Sequence, residues 1–94
     1  MPNSDVDEII KCLSDVLPGV EVTQLKVANL ADDDGLWFIK VPGITGQVQI
    51  ESSRSMCPFL IESDFEAKRY TGNTIEEVVA IVQRLFLLSA RKAD

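Results

Sequence analysis

The sequence predicts an α+β protein in which a helix at each end of the chain covers one face of a small antiparallel sheet. Three observations support this prediction: a strictly alternating segment mid-chain, turn residues on either side of it, and amphipathic helical patterns at both ends. Helices that are segregated from consecutive short strands are typical of a two-layer sandwich. We expect the order α-β-β-β-β(-β)-α, four or five strands, and one domain spanning 1–94 with residues 1–4 and 92–94 frayed.

The first helix is predicted from a capping signal followed by apolar residues at spacings of three and four. Asn3 or Ser4 can cap its first turn, with Asp7 or Glu8 as the reciprocal partner. Pro18-Gly19 ends the helix, because proline cannot continue the hydrogen-bond ladder. The residues of the apolar face are Val6, Ile9, Ile10, Leu13 and Leu17, widened by Val16.

The first strand is predicted over Val20 to Val27. Its valines and leucine change parity along the segment, so either both faces are partly covered or a bulge shifts the register near Thr23-Gln24. The connection from Asn29 to Gly35 follows, and the Asp34-Gly35 pair that closes it indicates a turn.

Two strands form the centre of the predicted sheet, Leu36 to Val41 and Gln47 to Glu51. The second alternates between polar and apolar residues, as expected of a strand buried on one face and wet on the other. Pro42-Gly43 indicates the turn between the two strands. Because an unpaired ammonium is costly to bury, we place Lys40 outward, and Leu36 and Phe38 then lie outward with it.

A further strand is predicted over Phe59 to Ser63. Asp64 and Phe65 then form a turn into a short strand near Glu66 to Tyr70, a segment whose residues also suit a loop.

The closing helix begins with a capping box, with Thr74 at the N-cap and Glu77 at the third position. We expect both helices to pack on the Val48/Ile50 face of the sheet. The apolar stripe of the closing helix contains Ile75, Val78, Val79, Val82, Leu85 and Phe86.

Composition excludes several classes of partner. The net charge is −6, and residues 1–47 contain eight acidic residues against three lysines. Nucleic acid and anionic lipid both require a basic surface, so we expect neither as a partner, whereas a basic protein would be attracted.

The chain has no visible secretory signal and no apolar run near the roughly 18 residues that span a bilayer. Two distant cysteines, Cys12 and Cys57, form no disulfide framework. We therefore expect a cytoplasmic protein.

Catalytic and metal chemistry have little support in the sequence. The absence of histidine removes the commonest general base and metal ligand. The run from Asp32 to Gly35 fails as a calcium loop, because placing Gly35 at the sixth position puts Leu30 first and Val41 twelfth. We expect a solvated turn there, with no metal and no cofactor.

The enzymatic alternative is a small cysteine-dependent enzyme in which Cys57, Arg54, Glu51 and Tyr70 converge at one end of the sheet. A reactive thiolate needs a lowered pKa, and Arg54 is the nearby cation in sequence that could provide it. Glu51 and Glu62 form a candidate acid pair on neighbouring strands, although exposure to solvent or pairing with Lys40 and Lys68 is the simpler expectation. We expect no enzymatic activity.

The leading hypothesis is a non-catalytic protein-binding module. Apolar residues rimmed by polar ones, on a sheet face without a third layer, are typical of a contact surface. A second candidate surface is the flank of the closing helix formed by Ile81, Leu87 and Leu88, and a symmetric dimer could use either surface. The candidate residues of the sheet face are Leu36, Phe38, Lys40, Gln47, Gln49 and Glu51.

In size, acidity and layout the chain resembles two groups of bacterial accessory proteins: chaperones that hold secretion substrates and immunity proteins that neutralise toxins. The resemblance concerns the α+β layout rather than a sequence motif. It implies a protein partner, and no family is assigned from it.

Overall fold

The computed structural model describes residues 4–25, 34–53 and 56–92, and for 34, 53 and 90–92 it describes the backbone alone. Within these residues, five antiparallel strands lie side by side in sequence order, β1-β2-β3-β4-β5, with one helix before them and one after. The predicted α+β arrangement is confirmed. The elements are α1 (Asp5–Val16), β1 (Glu21–Gln24), β2 (Asp34–Lys40), β3 (Val48–Ser53), β4 (Phe59–Ser63), β5 (Tyr70–Gly72) and α2 (Ile75–Lys92).

Helix α1 begins at a capping box and ends at the predicted break. The Ser4 hydroxyl accepts a hydrogen bond from the Asp7 N–H, and the Asp7 carboxylate accepts one from the Ser4 N–H. Leu17 is the C-cap, directly before Pro18. Val16 is 40% exposed, so it does not widen the buried face as the spacing predicted. The fraying expected at the chain ends lies largely outside the described residues and stays a prediction.

Strand β1 begins one residue later than predicted, at Glu21, and contains no bulge. It ends at Gln24, and its register with β2 is continuous from Glu21 opposite Lys40 to Gln24 opposite Trp37. Leu25 continues the ladder by donating its N–H to the Leu36 carbonyl at 2.8 Å. The predicted end at Val27 and the connection through Asp33 lie outside the described residues.

The turn predicted at Asp34-Gly35 is wrong, because both residues belong to β2. They pair with Ser53 and Ser52 of β3. The Trp37 indole lies directly over Gly35, where an added Cβ would come within 2.1 Å of the ring. Glycine at position 35 therefore leaves room for the aromatic ring, and the local Asp-Gly turn preference yields to this contact.

The hairpin between β2 and β3 follows its sequence signature. The Ile44 N–H donates to the Val41 carbonyl at 3.1 Å, which closes a turn with Pro42 and Gly43 at its centre. Gly43 has φ +84, the positive value that a type II turn requires at this position.

The strand predicted near Glu66 to Tyr70 is wrong in position. β5 begins only at Tyr70 and pairs with β4 through Ile61 opposite Tyr70. Residues 66–69 form a loop, preceded by Phe65, whose ring packs edge-on against Phe86 of α2 with centroids 5.5 Å apart. Because Phe65 is held against α2, the residues that follow it do not pair with β4 until Tyr70.

Both helices cover the same face of the sheet, as the Val48 and Ile50 pattern predicted. α2 begins with the Glu77 N–H donating to the Thr74 hydroxyl at 3.1 Å, while the Glu77 carboxylate accepts from the Asn73 N–H. The buried apolar residues form one cluster, consisting of Val6, Ile9, Leu13, Trp37, Ile39, Val48, Ile50, Phe59, Ile61, Val78, Val82, Leu85 and Phe86.

Candidate functional site

The face of the sheet opposite the helices, here called the outer face, carries apolar side chains in cross-strand rows. One row runs across β2 to β5 through Leu36, Glu51, Leu60 and Thr71. Leu36 and Leu60 are partly exposed and flank Glu51. Because directly opposite side chains on neighbouring strands are about 5 Å apart, the two leucines share one surface with the glutamate between them.

The next row runs across β1 to β4 through Thr23, Phe38, Gln49 and Glu62. Phe38 is partly exposed and lies between two uncharged polar residues. The two rows together place three apolar side chains on a face that neither helix covers.

Two shallow depressions follow these rows. The first has a volume of about 70 Å³. The second, of about 260 Å³, lies beside it towards β1. The lining of the first is Leu36, Gln49, Glu51, Leu60 and Glu62. The lining of the second is Thr23, Phe38, Lys40 and Gln47.

All six candidate residues of the sheet face lie along these depressions, three in each. Thr23, Leu60 and Glu62 also line this surface and were not predicted to belong to it. The alternation in Phe59–Ser63 was sufficient to find two of them, since Leu60 and Glu62 have the parity opposite to buried Phe59 and Ile61. The position of Thr23 depends on the register of β1 against β2, which the sequence pattern left open.

The charged residues of the outer face differ in their pairing. The Glu62 carboxylate forms an ion pair with the Arg69 guanidinium, with 2.7 Å between Oε1 and Nε. The pairing with Lys68 that the sequence suggested is therefore replaced by one with Arg69. Glu51 lies diagonally from Glu62 and, within the described residues, has no ion pair. An exposed pair such as Glu62 with Arg69 contributes little to stability and is readily exchanged for another partner.

The second candidate surface, the α2 flank, is less continuous. Leu87 is 61% exposed, but Ile81 packs against the core and Leu88 is partly buried. The flank therefore presents one strongly exposed leucine rather than an apolar patch.

The surroundings of Cys57 raise the pKa of its thiol, whereas those of a nucleophilic cysteine lower it. Its own N–H donates to the Asp5 carboxylate of α1 at 2.8 Å. Desolvation by partial burial, followed by this nearby carboxylate, raises the pKa of the Cys57 thiol from 9.0 to about 11. The thiol is therefore protonated at neutral pH, whereas nucleophilic cysteines have a lowered pKa. Arg54 lies outside the described residues.

The other members of the proposed enzymatic site are not brought together. Tyr70 shares the parity of buried Ile61 and faces the helices, whereas Glu51 lies on the outer face. The Tyr70 phenol donates a hydrogen bond to the Glu66 carboxylate, which is the main reason that its pKa is raised. The Lys68 ammonium and the Arg84 guanidinium each lie 5.1 Å from the ring centroid of Tyr70.

Within the described residues, no three His, Cys, Asp or Glu side chains are grouped as metal ligands. Over the same part of the chain, neither helix combines the length and apolarity needed to cross a bilayer. Cys12 and Cys57 are both free thiols.

Comparison of the chain with protein-family models, with curated proteins and with solved structures finds no match.

Proposed function

We propose that this protein is a non-catalytic binding module that contacts a protein partner through the outer face of its sheet. The observation that supports this most directly is the group of Leu36, Phe38 and Leu60, which are partly exposed in two adjacent rows on the uncovered face. Each of these side chains is partly covered by its neighbours, and the rest of its apolar surface remains in water. A partner that covered them would remove apolar surface from water.

The chemistry of the first depression favours a basic partner. Its apolar lining is formed by Leu36 and Leu60, and its rim contains the carboxylates of Glu51 and Glu62. A lysine or arginine side chain suits this combination, since its methylene stem packs on the leucines while its charge lies near the carboxylates. The net charge of −6 favours the same kind of partner.

The test uses a short peptide of alternating leucine and lysine, with the matched leucine–glutamate peptide as its control. In two-dimensional NMR titrations, we expect the cationic peptide to shift the amide signals of Phe38, Gln49 and Leu60. The double variant Phe38→Ser/Leu60→Ser keeps the net charge and removes two apolar contacts. Each contact contributes about 1 kcal/mol to binding, so the loss of both should weaken peptide binding about 30-fold.

The matched control is Leu87→Ser, which removes an exposed leucine from α2 without touching the sheet. Binding should be unchanged in this variant. Equal binding of both peptides, or shifts confined to the surroundings of Leu87, would contradict the proposal.

The broader assignment follows the resemblance in layout. We propose a cytoplasmic accessory protein, either of the chaperone type or of the toxin-neutralising type found in bacteria, because both types mask a partner rather than transform it. The enzymatic alternative requires Cys57 as nucleophile, and the raised pKa of its thiol disfavours that role.

A further inference from the structure

The two edge strands of the sheet differ in the backbone they leave available. β5 contains only three residues, which limits pairing with a further strand. β1 contains four residues, and Leu25 extends its ladder by one. Lysine, proline and bulges are among the devices that protect an edge, and 21–25 contains none of them; its one charged residue is Glu21.

The hydrogen bond from the Leu25 N–H to the Leu36 carbonyl sets the phase of the β1 ladder. In an antiparallel pair, residues alternate between those bonded to the neighbour and those whose backbone groups point away. Glu21, Thr23 and Leu25 are therefore bonded to β2. The N–H and C=O groups of Val22 and Gln24 point away from β2, towards the edge that no described strand covers.

We propose that β1 pairs with β1 of a second copy of this chain, in antiparallel orientation about a two-fold axis at Thr23. Val22 then lies opposite Gln24 of the other copy, and each such pair forms two backbone hydrogen bonds. Because the two open residues are symmetric about Thr23, one register pairs all of their N–H and C=O groups. This inference does not depend on the outer face binding a partner.

The charges fit the same register. Glu21 lies opposite Leu25 of the second copy, so its carboxylate faces an exposed leucine rather than another carboxylate. The two Glu21 residues are separated by four positions along the strand, or about 13 Å, which exceeds the Debye length of about 10 Å at 0.1 M salt. Within 21–25, the two copies can therefore pair without opposing like charges.

The two-fold axis is perpendicular to the sheet, so both helix layers lie on one side and both outer faces on the other. The sheet becomes ten-stranded. Since Thr23 lies beside Phe38, the row across the junction runs from one Phe38 through two threonines to the second Phe38. A bound partner would meet one surface that repeats across the dimer.

The first test replaces Gln24 with proline, because this N–H points to the open edge and is not bonded to β2. A proline at an edge position facing outward is compatible with the strand. Two of the four hydrogen bonds are lost per dimer. Each bond contributes about 1 kcal/mol, so the dimer dissociation constant measured by sedimentation should rise about 30-fold. Gln24→Ala is the matched control and should dimerise as the wild type does, and circular dichroism should show both variants folded.

The second test is a cross-link. Opposing Thr23 residues form a pair without direct hydrogen bonds, with Cα atoms about 4.5 Å apart, a distance that a disulfide spans. In a Cys12→Ser/Cys57→Ser background, Thr23→Cys should oxidise rapidly to a covalent dimer. Thr71→Cys, exposed on the opposite edge strand, is the control and should oxidise slowly.

Three outcomes would overturn the proposal: a wild-type chain that stays monomeric up to millimolar concentration, a Gln24→Pro variant that dimerises like Gln24→Ala, or equal cross-linking at positions 23 and 71. Loss of peptide binding in Phe38→Ser/Leu60→Ser with an unchanged dimer would show that the two proposals stand separately.

Discussion

Neighbouring residues of β2 occupy opposite environments. Ile39 is fully buried beneath the helices, and Phe38 is partly exposed on the uncovered face. Across the sheet, Ile39 is followed by Val48, whereas Phe38 is followed by Gln49 and Glu62. The comparison shows that apolar character alone does not mark the core of this sheet. The polarity of the cross-strand neighbours separates residues of the buried layer from residues of the uncovered face.

The largest expected effect compares these two residues directly. Ile39→Ala leaves a cavity in a fully buried site and should lower the free energy of unfolding by about 3 kcal/mol. Phe38→Ala removes a larger side chain but should cost less than Ile39→Ala, since part of its site is already exposed to solvent. Urea denaturation of both variants measures the difference. Equal losses would show that the outer face contributes to folding as much as the buried face.

A smaller effect tests how closely α2 lies on the buried face. An added Cβ at Gly72 would lie 2.5 Å from Val78 Cγ2 and 3.1 Å from the Val78 backbone nitrogen. Because the helix backbone cannot move aside locally, we expect Gly72→Ala to cost about 2 kcal/mol. Thr71→Ala, the neighbouring change on the outer face, should be nearly neutral in the same denaturation measurement. A neutral Gly72→Ala would mean that α2 is not pressed against β5.

Ser52 provides a test of opposite sign. Its side chain faces the buried layer, is 7% exposed, and has no hydrogen-bond partner for its hydroxyl oxygen within the described residues. Removing an unsatisfied buried hydroxyl relieves its desolvation cost, so Ser52→Ala should stabilise the protein by about 1 kcal/mol. Thermal unfolding should show a higher midpoint. A lower midpoint would indicate that the hydroxyl is hydrogen-bonded in solution.

The smallest expected effect is a titration at the rim of the buried layer. In a Cys12→Ser background, the reaction rate of Cys57 with a thiol reagent should rise with a midpoint near pH 11, because the pKa is raised to about 11. Asp5→Asn removes the charge that contributes to this shift and should lower the midpoint. An unchanged midpoint would leave burial as the whole cause.

The same shift predicts a pH dependence of stability. The folded-state pKa is above the ordinary 9.0, so the folded chain favours the protonated thiol. The resulting stabilisation is present below about pH 9 and is lost as the pH rises towards 11. Cys57→Ser should reduce the loss of stability in that window.

Local patterns predicted the parts of the fold that depend on neighbours in sequence. The Ser4 and Thr74 caps, the Pro42-Gly43 turn and the alternation around Val48 each combine a short-range preference with one buried face. The outward position of Phe38 followed from the cost of burying Lys40.

The remaining features depend on contacts between distant residues. Gly35 lies in a strand, where the Trp37 ring occupies the space above it. The local Asp-Gly signal predicts a turn instead, and nothing in the neighbouring sequence indicates this ring contact. β5 is too short for periodicity to locate it. Thr23 belongs to the candidate surface because the register of β1 against β2 places it opposite Phe38. The incomplete alternation in 20–27 does not determine that register.

The sequential order of the strands also has a kinetic consequence. Each strand pairs with its neighbour along the chain, so the sheet assembles through short loop closures. Helix α1 packs against α2, and the two helices are separated by nearly the whole length of the chain. Their contact therefore closes the longest loop and should form last. Pulse-labelled hydrogen exchange should therefore protect β2, β3 and β4 early in refolding and α1 last.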